Sequence, residues 1–214
     1  MFFIEMGKRD NHMKNNKKKL TLTTIVFSVI AITIFVNMKL HDAAQKGNIL
    51  EAEGLLKQNH GENINETDRH GDTALHLAIA NNKLSMVKYL LENHAQVAKV
   101  NNEGITPLYE AAAAGNNDAI KLLLDRGNAQ ETIDLRSGKK DGGFYTPLHV
   151  AIMRSHPATV QLLLSRGANP AIKTIDGKTA YELAEDWLKE SKGSSYHDKQ
   201  QKIVEILGNY KSNK

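Results

Sequence analysis

The chain contains no cysteine, which excludes disulfides, cysteine-based zinc sites and acylation on cysteine, and which suits any compartment. None of its nine histidines stands in a His-Glu-x-x-His run, the spacing that sets two imidazoles on one helix face to hold zinc. Gly-x-Ser-x-Gly is also missing, so the exposed nucleophile turn of a serine hydrolase has no sequence to form it. Ser85 with Lys88, and Ser137 with Lys140, match a penicillin-binding-type nucleophile by count alone, without its companion motifs. Asp176-Gly177-Lys178-Thr179 looks like the close of a phosphate-binding loop, but Ile172 stands where the first glycine would be. A hairpin turn running into a helix cap explains those four residues better. No enzyme activity, cofactor or metal site is therefore expected.

A surplus of one charge is missing as well, once the amino terminus is set aside. The whole chain carries 28 Lys/Arg, 24 Asp/Glu and a net charge of +4. Residues 1–39 hold seven basic and two acidic groups, leaving 21 basic against 22 acidic in the remainder. The basic character belongs to the tail, and the rest has no electrostatic reason to seek DNA or RNA. No nucleic-acid partner is expected.

What the sequence does have is a hexapeptide that returns. It reads Thr73-Ala74-Leu75-His76-Leu77-Ala78, then Thr106-Pro107-Leu108-Tyr109-Glu110-Ala111, then Thr146-Pro147-Leu148-His149-Val150-Ala151. A weaker copy is Thr179-Ala180-Tyr181-Glu182-Leu183-Ala184. The steps between successive threonines are 33, 40 and 33 residues, so about seven residues are inserted in the middle step. A fixed period of this length marks a stack of short structural units. A second element recurs in register, as Tyr89-Leu90-Leu91-Glu92-Asn93-His94-Ala95, Leu122-Leu123-Leu124-Asp125-Arg126-Gly127 and Leu162-Leu163-Leu164-Ser165-Arg166-Gly167-Ala168-Asn169.

Together these two elements resemble the ankyrin repeat, with its Thr-Pro-Leu-His-x-Ala helix start and Leu-Leu-x-x-Gly-Ala helix end. The resemblance covers roughly residues 39 to 210. It implies an all-α solenoid of about five helix-turn-helix repeats with hairpin fingers, over about 39–67, 68–100, 101–133, 145–173 and 174–210, in a domain of 39–214. Leu40-His41-Asp42-Ala43-Ala44 opens the first repeat. Thr73 is placed to cap a helix, and Pro107 sits in a first turn where its missing N–H costs nothing. The insertion, about 130–144, lengthens one finger and ends on Phe144, next to Tyr145. The resemblance also implies that His41, His76 and His149 bond within the stack.

The first 38 residues lie outside this pattern. A basic tail over 1–19 precedes an uncharged run over 20–38, long enough to cross a bilayer as a helix. We expect a transmembrane helix or uncleaved signal anchor there; cleavage as a signal peptide and a buried helix are the alternatives. Six basic residues before the run place 1–19 in the cytoplasm. In a bacterium that puts the chain in the inner membrane as a single-pass protein, its repeats in the periplasm.

With no catalytic constellation, function is expected on the face that the fingers and inner helices build. Carrying the family's variable positions onto this chain gives Asp72, Ile105, Tyr145 and Lys178 on the fingers. On the inner helices it gives Asp42, Gln45, Lys46, Leu77, Asn81, Glu110, Ala114, Val150, Met153 and Arg154. The insertion adds Arg136, Lys139, Lys140 and Phe144. The expected role is a membrane-tethered binding protein, monomeric until bound, that covers the active site of a toxic enzyme such as a secreted phospholipase. An assembly or protection factor for a periplasmic enzyme, and a host-directed effector, are the alternatives.

Overall fold

The computed structural model describes residues 40–58, 64–126, 132–138 and 144–212. Helix α1 covers 40–46 and pairs with α2, Ile49–Gln58. The next pairs are α3, Ala74–Ala80, with α4, Leu84–Glu92, and α5, Pro107–Ala113, with α6, Asn117–Arg126. After the insertion come α7, Pro147–Met153, with α8, Pro157–Ser165, and finally α9, Ala180–Glu190, with α10, His197–Ser212. The short inner helices α3, α5, α7 and α9 pack side by side, and the outer helices α2, α4, α6, α8 and α10 form a second row behind them.

The hexapeptide explains why each inner helix begins where it does. Thr73, Thr106, Thr146 and Thr179 all have extended backbone, and each hydroxyl accepts the N–H three residues on, which would otherwise be orphaned. Pro107 and Pro147 occupy the first helical position, as expected of a residue without an N–H. The repeated leucines Leu40, Leu75, Leu108 and Leu148 are each 1% exposed. Ala43, Ala78, Ala111 and Ala151 are fully buried, and side chains this small let neighbouring inner helices approach closely. The leucine pairs of the outer helices close the core from behind.

The fingers are short two-residue-paired turns. Asp68 N–H donates to Asp72 O at 2.9 Å, Asn101 N–H to Ile105 O at 3.0 Å and Thr174 N–H to Lys178 O at 2.8 Å, a loop of the same size each time. In the enlarged finger the partners are Ser137 and Tyr145, bonded both ways at 2.9 and 3.0 Å. Four of the inserted residues therefore fall inside the finger, and the other three precede Ser137 in the connection from α6. Ile133 of that connection is 1% exposed, and Ser137 Oγ lies 3.0 Å from Thr106 Oγ1 in the interior. Part of the insertion is core.

One expectation about the fold class is corrected. The run at 20–38 lies outside the described residues, and among the described residues no helix is long and apolar enough to cross a membrane. The architecture that the structure shows is the all-α repeat array alone. At its far end α9 and α10 form a closing pair, with Ile203 and Leu207 buried and Gln200 reaching back into repeat four. Its Nε2 donates to Ile152 O and to Ser155 Oγ, both at 2.8 Å.

Candidate protein-binding surface

Each inner helix is tied to the next repeat through one ring position. Thr73 N–H can only donate, and it donates to His76 Nδ1 at 3.2 Å, so the imidazole proton sits on Nε2. That Nε2 donates to the carbonyl of Ile105, in the following finger, at 3.0 Å. His41 does the same toward Asp72 O at 3.0 Å. Burial, only partly offset by the Ile105 carbonyl, holds the His76 pKa below its ordinary value, in keeping with a neutral ring. His149 repeats the inward half of the arrangement, taking Thr146 N–H on Nδ1 at 3.2 Å. Its buried Nε2 has no bonded partner among the described residues, and burial takes its pKa down to about 4. The Tyr145 ring meets it edge-on, with centroids 6.3 Å apart. These histidines are scaffold.

With Thr, Leu, His and Ala consumed by the scaffold, the exposed side chains on the fingers and inner helices are the ones that vary from repeat to repeat. Fingers two and three lie together: Asn102 N–H donates to His70 O at 3.0 Å, and Asn101 Nδ2 to Asp72 Oδ1 at 2.8 Å. A cleft of about 340 Å³ opens there, lined by His70, Asp72, Asn101, Asn102 and Glu103. Glu110, half-buried on α5, has its carboxyl pushed up by burial first and then by the Asp72 and Glu103 charges. Fingers and inner helix thus share one face. Tyr109 on the same helix is half-buried, its hydroxyl pushed up by burial and within electrostatic reach of Arg154 and Tyr145.

The expected contact residues are not all equally available. Asp72, Ile105, Glu110, Tyr145 and Met153 are half-buried, and Arg136, Phe144 and Arg154 are exposed. Lys178 pairs with Asp186 at 2.7 Å, and Lys46 with Asp42 at 2.5 Å, so both cations are engaged within their own repeats. Val150 is 3% exposed and belongs to the core. Lys139 and Lys140 lie outside the described residues. Ile175, 64% exposed, adds an apolar tip to the fifth finger, next after Phe144 on the fourth.

Comparison with known proteins agrees with this geometry. A family model described as "Ankyrin repeats (3 copies)" matches residues 40–134 and 100–174. The chain belongs to the ankyrin-repeat family. It is 32% identical over 131 residues to Transient receptor potential cation channel subfamily A member 1 of Homo sapiens, covering 61% of this chain and 11% of that protein. It is 35% identical over 121 residues to the B-cell lymphoma 3 protein homolog of Mus musculus, covering 55% and 26% respectively. Palmitoyltransferase AKR1 of Lachancea kluyveri shares 30% over 152 residues, or 69% of this chain and 19% of the enzyme. The chain spans under a third of the length of each of these relatives.

A channel, a lymphoma protein and a transferase have the ankyrin module in common, and the module is a device for protein–protein interaction. Two residues of this face were not singled out from the sequence. Glu103 stands at a fingertip in an otherwise ordinary turn. Tyr109 replaces the histidine of the repeat, and that substitution in a position devoted to scaffold was a usable signal.

Proposed function

We propose that the chain works by binding one protein partner on the face made by its finger tips and inner helices, without catalysis of its own. The observation that supports this reading is the division of labour along the repeats. The recurring Thr, Leu, His and Ala side chains are almost all buried, whereas the exposed members of the same turns differ in each repeat. An aromatic, sulfur and arginine cluster (Tyr109, Tyr145, Met153 and Arg154) occupies repeats three and four, and such residues dominate interface energetics. Asp72, Ile105, Phe144 and Arg136 extend it toward the fingers. A partner that is an enzyme is neutralised if the array covers its active site, which is the role expected from the sequence.

The test is co-purification with the source cell's proteins, comparing the intact chain with a Met153→Arg variant. The expected result is one stoichiometric partner, lost with the variant while the helical content and melting temperature are kept. If the partner is an enzyme inhibited at one equivalent, the neutralising reading stands. A partner whose activity is unchanged or raised supports the assembly role instead. Retention of the same partner by Met153→Arg would contradict the placement of the surface.

A further inference from the structure

Tyr109 stands where repeats one, two and four carry histidine, and it does none of that histidine's work. His41 and His76 each bond the finger of the next repeat through Nε2, reaching Asp72 O and Ile105 O at 3.0 Å. In repeat three that tie is made by Thr106, whose Oγ1 lies 3.0 Å from Ser137 Oγ beside the fourth finger. The Tyr109 phenol is thereby released from the stack, its ring half-buried against the core. A similar change occurs where the inner helices end. Asn81 turns back on its own helix and donates to Leu77 O at 2.9 Å, and Ala114 has no polar side chain to offer. Arg154, in the same register, is exposed and pairs with no acid among the described residues.

The two departures meet on one face. Helix α5 packs beside α7, and the electrostatic neighbours of the Tyr109 hydroxyl are the Arg154 guanidinium and the Tyr145 phenol. Tyr145 is held by its backbone bonds to Ser137 and by its edge-on contact with His149. Met153, next to Arg154, is half-buried, and Phe144, next to Tyr145, is exposed, so apolar surface borders the polar groups. An arginine can only donate and a phenol can, so an acceptor completes this group, and the unpaired guanidinium selects a negative one. Resting on the reading of this face as a protein-docking surface, we propose that its partner presents an acidic side chain beside an apolar one. The Asp or Glu carboxylate accepts hydrogen bonds from Arg154 and from the Tyr109 and Tyr145 hydroxyls, and the apolar neighbour lies against Met153 and Phe144. Half-buried rings thin the water around the carboxylate and strengthen bonds to it, while the apolar neighbour supplies the buried area.

The probe is a phage-displayed library of short random peptides, fused through their carboxy termini so that every free carboxylate is a side chain's, and selected on the folded full-length chain. The enriched peptides are expected to join Asp or Glu to a neighbouring aromatic or aliphatic residue. Their affinity should fall about tenfold or more with Arg154→Glu, and should weaken as salt is raised. Arg154→Lys, which keeps the charge and loses the planar fork, should lose an intermediate amount. Tyr109→Phe, which keeps the ring and its packing, should lose roughly threefold or more at an unchanged melting temperature. Lys88→Glu, the same charge reversal on outer helix α4, should lose nothing. Enriched peptides that Met153→Arg abolishes, but that are basic or neutral or are indifferent to Arg154→Glu, would overturn this inference and leave the docking face intact. Peptides insensitive to both variants, as acidic ones held by the basic residues of 1–39 would be, or no enrichment at all, would overturn the docking face itself.

Discussion

At His149 the fold and the solvent compete for one proton. The ring is 1% exposed, its Nδ1 is occupied by Thr146 N–H, and its Nε2–H points at no bonded acceptor among the described residues. The Ile172 carbonyl and the Arg136 charge act on it in opposite senses, and neither outweighs burial. Its pKa falls from 6.5 in the open chain to about 4 in the fold. A histidine with a depressed folded pKa takes up its proton more readily when unfolded, so its contribution to stability is lost as pH falls. The loss begins near the unfolded value and is complete once pH passes below the folded one. We predict that the unfolding free energy drops between pH 6.5 and pH 4 by an amount on the order of 3 kcal/mol from this residue, with His76 adding in the same direction. Urea titrations across that range check it. In a His149→Gln variant the dependence should flatten; an unchanged slope would assign the acid sensitivity elsewhere.

At the scale of the element, the fingers are joined to one another as well as to their own repeats. Gly71 has φ +78°, and a Cβ there would stand 2.5 Å from both Asn102 N and Asn102 Oδ1 in the next finger. Gly177 has nearly the same φ, +77°, but nothing within 4 Å of the added atom. Gly177→Ala is therefore predicted to cost only the backbone penalty, about 1 kcal/mol. Gly71→Ala adds the collision with the third finger and should cost ~3 kcal/mol or more. Thermal or urea unfolding of the two variants measures the difference, and equal costs would show that fingers two and three do not bear on each other.

The same elements show what could be read in advance. The Thr caps and Leu-Leu helix ends act on residues three or four positions away, so the local pattern sufficed to place the helices of each repeat. Exposure depends on the neighbouring repeat, which the local pattern does not describe. Val150 looked like a contact residue but is buried in the stack, and Lys178 looked free until the longer α9 brought Asp186 beside it. The insertion read as one long finger because its length was visible and the burial of Ile133 was not. Glu103 and Tyr109 went unnoticed because each completes a surface only when adjacent repeats are stacked.

The whole molecule is a row of repeats, each stabilised chiefly by its neighbours. A rigid row holds variable side chains at fixed spacing, and that is why its chemistry is carried by a face and not by a pocket. The described array has α9 and α10 closing one end, with Gln200 anchoring them to repeat four. The proposed function then depends on which face meets the partner. Amide hydrogen exchange of the chain, alone and with its captured partner, answers this most directly. We predict slowed exchange over the finger tips around 70–72 and 101–105, the inner helix Pro107–Ala113 and the turn after Met153, with the outer helices Leu84–Glu92, Asn117–Arg126 and Pro157–Ser165 unchanged. Protection confined to those outer helices would contradict the account.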